Sequence, residues 1–378
     1  MIKRTLKNIT KYPLIILFTL SVLVMFAGFI AGESAKFSEL ENRTLAQLPK
    51  VSLANIMNGS FMGDFEKYTE DQLPLRNKLI KVKSVCEELL FKCENNGIIR
   101  GKDGYLFEKA VKVNPQLHKN ISAIDNFAKA LNRTVYVAIA PNSNCVYEDK
   151  LPVGAPVLDE KMAEEELVKA LDDNDNAVVI DLYKAVVNGD YESEYLYYRT
   201  DHHWTTVGAY KAYVELAKVM GFDAIEIDAY GLNSVDDFYG TYYAKYKGTG
   251  IRPDEITYSD IPVISYMADD KLYNNLLDMD KLCEYDKYGM FMYGNPGKAV
   301  IKGAGSNNGR KLVVLKDSYA NSVLPYLAAS YDEIEVLDLR YLGESVQSII
   351  RSSNEADILL LYNWSFVNDD NHFYKMVK

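Results

Sequence analysis

The segment Leu312-Val313-Val314-Leu315-Lys316-Asp317-Ser318-Tyr319-Ala320-Asn321-Ser322 joins a strand pattern to a turn and a helix. A short apolar run enters a small polar turn, and a helical segment follows. Such a run, apolar on both faces, predicts a strand buried inside a parallel sheet. The run spans Lys311–Lys316, and similar runs lie at Ile334–Leu339 and Asp357–Tyr362, and earlier at Val135–Ala140 and Ala177–Leu182. Between them Ile121–Leu131, Glu160–Leu171 and Thr205–Met220 read as helices, the last capped by Thr205 or Thr206. Strands alternating with helices predict an α/β fold, a parallel sheet with helices on both faces. Residues 231–310 interrupt the rhythm with Gly, Asn, Asp and Tyr, and are expected to be an insertion that shapes a cleft.

Upstream, Leu75–Lys92 reads as an amphipathic helix. Gly97–Phe107 reads as strand, turn, strand, with Gly101 and Gly104 supplying the positive φ of the turn. This Gly/Lys cluster lacks the spacing of a phosphate-binding loop. Residues 33–74 are polar and turn-rich and are expected to form an extended linker. Residues 75–378 then form the catalytic domain, with the insertion at about 231–310.

The N-terminus is distinct. Residues 1–11 carry Lys3, Arg4, Lys7 and Lys11 and no acidic residue, and residues 12–32 carry no charge. That apolar segment is long enough to cross a bilayer, which takes ~20 residues. The flanking charges predict a cytoplasmic basic segment, a signal-anchor and an exported remainder. A cleaved signal peptide is the competing reading, but its apolar region would be ~7–15 residues and end in an A-x-A-like site. Gly32-Glu33-Ser34 matches that poorly.

The chain has 378 residues and a net charge of −11, which argues against nucleic acid as a partner. Its hydrophobic content of 48% excludes a disordered chain. Of the cysteines, Cys86 and Cys93 would sit about 10 Å apart on one helix, too far for a disulfide. Cys86, Cys93, Cys145 and Cys283 are expected to be mostly free, buried thiols. No cysteine or histidine spacing suggests zinc.

Two segments could carry chemistry. Ser318 stands where a strand ends and a helix begins, the ligand-binding edge of an open parallel sheet. A serine hydroxyl needs a base to become a nucleophile. Helix-terminal N–H groups would suit a developing oxyanion. The base could come from Tyr197-Tyr198-Arg199-Thr200-Asp201-His202-His203-Trp204-Thr205, which holds two of the four histidines beside an aspartate. The plainer readings are that Ser318 and Asp201 are helix caps and that the histidines belong to the core. Asp201-His202-His203 as a metal site is a third reading, weakened because adjacent residues rarely ligate one ion together.

Thr-Asp-His-His-Trp-Thr (200–205) followed by Lys-Asp-Ser-Tyr-Ala-Asn (316–321) resembles the DHHW family, which is related to alginate O-acetyltransferase proteins with SGNH-hydrolase-like domains. Glu41-Asn42-Arg43, Asp71-Gln72-Leu73-Pro74-Leu75-Arg76, Gly101-Lys102-Asp103-Gly104, Phe238-Tyr239-Gly240 and Asp338-Leu339-Arg340-Tyr341 extend the resemblance over nearly all of the exported part. It implies a flavodoxin-like sheet and a triad of Ser318, His203 and Asp201. The Asp-x-His pattern maps onto Asp201 and His203, leaving His202 a supporting role. The order of the triad is that of a circularly permuted SGNH enzyme. Lys316 stands where those enzymes usually have glycine. Ser318 N–H is the safest oxyanion donor, and Tyr319, Asn321, His202 and Arg340 are candidates for substrate or oxyanion contacts.

The resemblance implies an extracytoplasmic O-acetyltransferase of a cell-surface or secreted polysaccharide, acting through an acyl-serine without cofactor or metal. Acetyl-CoA is cytoplasmic, so the acetyl group would arrive through a partner, a membrane acyltransferase of the MBOAT type. The same triad would serve a carbohydrate esterase. A non-catalytic polysaccharide-binding scaffold remains the third reading, marked by a Ser318 too far from His203 to hydrogen-bond.

Overall fold

The computed structural model describes residues 12–38, 43–110, 113–187, 194–305, 309–353 and 355–377. The basic segment 1–11 and Glu41-Asn42 lie outside the described residues. The chain divides into two compact units, residues 1–91 and 92–378.

In the first unit, α1 (Pro13–Ala31) is an apolar helix of 19 residues. At 1.5 Å per residue it spans about 28 Å, close to the thickness of a hydrocarbon layer. The segment expected to be an extended linker contains helix as well, notably α2 (Ser60–Asp71). Phe61 and Phe65 stack on one side of α2, an i, i+4 pair that turn-forming neighbours obscured in the sequence. Helix α3 (Arg76–Leu89) also belongs to this unit.

The second unit is built on an eight-stranded sheet. Its strands are β1 (Val135–Ala140), β2 (Ala177–Ile180), β3 (Val263–Ala268), β4 (Lys271–Tyr273), β5 (Lys298–Gly303), β6 (Lys311–Lys316), β7 (Glu333–Leu337) and β8 (Asp357–Asn363). Their spatial order is β4-β3-β5-β7-β6-β8-β1-β2. The five strands β7-β6-β8-β1-β2 are parallel, with Leu312 level with both Ile334 and Asp357. Counted from β6, this order is 2-1-3-4-5, the flavodoxin-like one, with the chain entering it at the fourth strand. The insertion adds β3, β4 and β5 as an antiparallel extension beyond β7.

Side chains alternate across the sheet, as the two-residue period of a strand requires. Leu312, Val314, Leu359 and Leu361 pack on one face with α6 (Thr206–Met220) and α7 (Leu324–Ser330). Val313, Leu315, Ile358 and Leu360 pack on the other with α4 (Pro115–Ala130), α5 (Glu160–Leu171) and α8 (Val346–Ser352). Burial of each such side chain stabilises by about 1.5–3 kcal/mol, so this double core fixes the layers. Thr205 caps α6 by accepting the Gly208 N–H at 3.3 Å.

Two local expectations change. In the hairpin of Ile98–Arg100 with Leu106–Glu108, Gly104 (φ +81°) and Asp103 (φ +56°) take the left-handed conformation, whereas Gly101 has φ −97°. Gly101 is there for space, since a Cβ would lie 2.5 Å from the Lys150 carbonyl oxygen. All four cysteines are free, but only Cys145 is buried.

Candidate active site

Ser318 leaves the C-terminal end of β6, where the strand order reverses direction between β6 and β8. An open α/β sheet splits into a crevice at this point. Asp317 holds the turn. One of its oxygens accepts the Tyr319 N–H at 2.8 Å, and the other accepts the backbone and side-chain N–H groups of Asn363, both at 2.7 Å. The turn is thereby tied to β8, and burial raises the Asp317 carboxyl to about 6. Ser318 begins a short 3-10 helix, Ser318–Ser322, and no acceptor for its N–H occurs among the described residues.

The segment 197–205 crosses this edge. Trp204 Nε1 donates to the Tyr319 carbonyl and to Ser322 Oγ, both at 3.0 Å, which docks the segment against the serine turn. The structure then brings the three expected side chains together. Asp201 Oδ1 lies 2.6 Å from His203 Nδ1, and His203 Nε2 lies 2.8 Å from Ser318 Oγ. Asp201 and His203 are 1% and 4% exposed, while Ser318 is half-buried. Asp201 also accepts the His203 N–H at 3.0 Å, the Thr241 N–H at 2.7 Å and the Thr241 hydroxyl at 3.0 Å. Burial alone would raise its carboxyl. The neighbouring His202 and His203 imidazoles and these hydrogen bonds outweigh burial and hold it well below the usual carboxylate range.

The insertion supplies walls that sequence reasoning missed. Tyr288 stacks on His203 with centroids 3.6 Å apart and planes 7° apart, and its hydroxyl donates to the Ser318 carbonyl at 3.1 Å. Nothing marked it among 29 tyrosines. Gly240 and Thr241 press on Asp201, and a Cβ on Gly240 would fall 2.4 Å from Asp201 Oδ2. The Phe238-Tyr239-Gly240 motif carried that signal. Asn142 follows the C-terminal end of β1 on the same sheet edge and accepts from the Tyr319 hydroxyl at 3.0 Å. The strand-end rule that found Ser318 could have found it too.

The secondary candidates are differently engaged. Asn321 is not free to bind an oxyanion. Its amide donates to the Gly294 carbonyl (3.2 Å) and to Asn295 Oδ1 (3.1 Å), and its oxygen accepts from Lys316 Nζ at 2.7 Å. Lys316 also reaches Asn295 Oδ1 at 3.0 Å. Full burial lowers its ammonium to about 8. Where glycine was expected, this lysine ties the insertion to the floor of the site. Arg340 grips the buried Asp338 through two nitrogens, at 2.9 and 2.5 Å. The Tyr319 hydroxyl donates to Asn142 and lies close to the His202 carbonyl, so it faces inward. His202 remains in the cleft beside His203, with ring centroids 3.7 Å apart.

Asp201, His202 and His203 also place one ligand atom each within 4.8 Å of one another. An ion there would have to displace the four hydrogen bonds that Asp201 already accepts. The described residues fit a hydrogen-bonded proton relay better than a metal centre.

The family model described as "DHHW protein" matches residues 118–337. Among solved structures, a DHHW family protein from Eubacterium siraeum is 24% identical, covering 75% of this chain and 96% of its own, with a TM-score of 0.63. Bacillus cereus PatB1 is 21% identical, covering 74% and 98%, with a TM-score of 0.61. The same protein with a sulfonyl adduct, at the same identity and coverage, gives 0.60. No curated protein matches the chain.

Proposed function

The chain belongs to the DHHW protein family, and from that premise we propose that it is an extracytoplasmic O-acetyltransferase, anchored by α1, that modifies a cell-surface or secreted polysaccharide. One observation carries the reading. A serine hydroxyl at the switch point of the sheet sits 2.8 Å from an imidazole whose other nitrogen is held by a buried carboxylate. A scaffold role gives no reason for that contact.

In the proposed reaction, His203 Nε2 takes the Ser318 proton as Oγ attacks the acetyl carbonyl of the donor. The tetrahedral oxyanion meets the Ser318 N–H at the start of the 318–322 helix. His203 returns the proton to the donor's leaving oxygen or sulfur, and acetyl-Ser318 remains. A polysaccharide hydroxyl then enters, gives its proton to His203 and attacks the ester. Ser318 Oγ departs with that proton. The family resemblance supports the acetyl group, the polysaccharide acceptor and an MBOAT-type partner as donor. The apolar helix α1, 19 residues long, supports the anchor.

The test is intact-protein mass spectrometry of the full chain in detergent after brief exposure to p-nitrophenyl acetate. Wild type should gain one acetyl group, about 42 Da, as expected for an acyl-serine intermediate. Absence of the adduct from wild type, or its persistence in Ser318→Ala, overturns the reading. Release of the group to added oligosaccharide rather than water separates transfer from esterase action.

Gly240→Ala should slow acylation about 100-fold, because its Cβ must push Asp201 out of line and small misplacements cost that much. A stopped-flow burst with the same ester measures it, and an unchanged burst rate would show that Asp201 tolerates the shift.

A further inference from the structure

Asp201 serves two imidazoles. One oxygen holds His203 Nδ1, and the other accepts from the Thr241 hydroxyl at 3.0 Å. That hydroxyl lies 2.6 Å from His202 Nδ1. Its single proton goes to the carboxylate, the stronger acceptor, so the contact with His202 must be an Nδ1–H donating to Thr241 Oγ1. Asp201 Oδ1 lies 3.6 Å from the same Nδ1, and a bare lone pair there would face a negative charge. Both observations assign the Nδ1–H tautomer. Burial and the adjacent His203 imidazole lower the pKa of His202 and keep it neutral.

A neutral imidazole protonated on Nδ1 has a lone pair on Nε2. No partner for that atom occurs among the described residues, and the side chain is 32% exposed. Its ring lies 3.7 Å from the His203 ring. Tyr288 lies 3.6 Å from the same ring in parallel stacking, and two rings at such distances must occupy opposite faces. Two adjacent imidazoles thus offer a basic Nε2 each, that of His203 engaged with Ser318 and that of His202 without a partner among the described residues.

Building on the acyl-serine reading, we propose that His202 is a positioning residue for the acceptor, and that the acceptor is a sugar with vicinal hydroxyls. One hydroxyl gives its proton to His203 Nε2 and attacks the acetyl ester, releasing Ser318 Oγ, which takes that proton back. The adjacent hydroxyl donates a hydrogen bond to His202 Nε2 and keeps its own proton. Water and simple alcohols lack the second hydroxyl and are held less well, which favours transfer over hydrolysis.

The test partitions the acyl-enzyme of the full chain in detergent, formed from p-nitrophenyl acetate, between trans-1,2-cyclohexanediol and cyclohexanol at equal concentration. Wild type should favour the diol about tenfold, the effect of one hydrogen bond to a positioned acceptor. His202→Asn keeps a donor for Thr241 but has nothing in place of Nε2. It should erase the preference and slow transfer to the diol at least tenfold more than it slows acylation. His202→Gln places an oxygen near the Nε2 position and should restore part of the preference. An equal preference in wild type and His202→Asn overturns the proposal, as does a parallel loss of acylation and transfer, which would mark a structural role. Failure of wild type to form any acyl-enzyme would instead strike the triad reading.

Discussion

Ser318→Ala should lower acetyl transfer by at least about 10⁴-fold while leaving the fold intact. Loss of the nucleophile in serine-triad enzymes costs up to about 10⁶ in kcat, and the residual rate comes from binding and oxyanion contacts. The turn does not depend on the hydroxyl, because Asp317, Asn363 and Trp204 hold its backbone. The hydroxyl's contact with His203 is worth about 1 kcal/mol, so the melting temperature should move by no more than about 2 °C. Activity with an activated acetyl ester and a thermal melt on the same preparation decide it. A melt lowered by 10 °C would mean that Ser318 is a structural cap.

Asp201→Asn should have nearly as large an effect, about 10⁴-fold in the acylation rate, for a different reason. Asp201 accepts four hydrogen bonds and is itself buried. An asparagine has one acceptor oxygen. With its amide nitrogen facing His203 Nδ1, the imidazole must carry its proton on Nε2, where it can no longer take one from Ser318; the same substitution in a serine-protease triad costs about this much. The pH dependence has a definite sign. The folded-state pKa of Asp201 is depressed, so its stabilising contribution is present above the ordinary carboxylate pKa of about 3.9 and is lost as pH falls through the folded value. Wild-type activity measured from about pH 3.5 to 8 should therefore show no step from this carboxyl. A step near pH 4–5 that disappears in Asp201→Asn would contradict the depressed pKa.

Much of this site could be read from local patterns. The apolar runs at Val135–Ala140 and Lys311–Lys316 mark their own strands, because a strand buried on both faces needs apolar residues at every position. The strand end at Ser318 and the Asp201-His202-His203 cluster are short-range features, but the joining of Ser318 with Asp201 and His203 came from the family resemblance, since 115 residues separate the two segments. Tyr288 was not, since stacking on His203 across 85 residues leaves no periodicity. The engagement of Asn321 was not legible, because its hydrogen-bond partner Asn295 comes from the insertion. The exposure of Cys86, Cys93 and Cys283 was missed for the same reason, as burial depends on neighbours distant in sequence.

Local patterns in the chain carried the alternation of strands and helices, the apolar N-terminal helix and the serine, histidine and aspartate of the candidate site. These follow from hydrophobic periodicity and side-chain chemistry, which act over a few residues. Three-dimensional packing supplied the antiparallel extension beyond β7, the 2.8 Å contact of His203 with Ser318 and the stacking of Tyr288 on His203. Those depend on which distant segments share one sheet edge, and hydrogen-bond geometry exists only once the chain has brought them together.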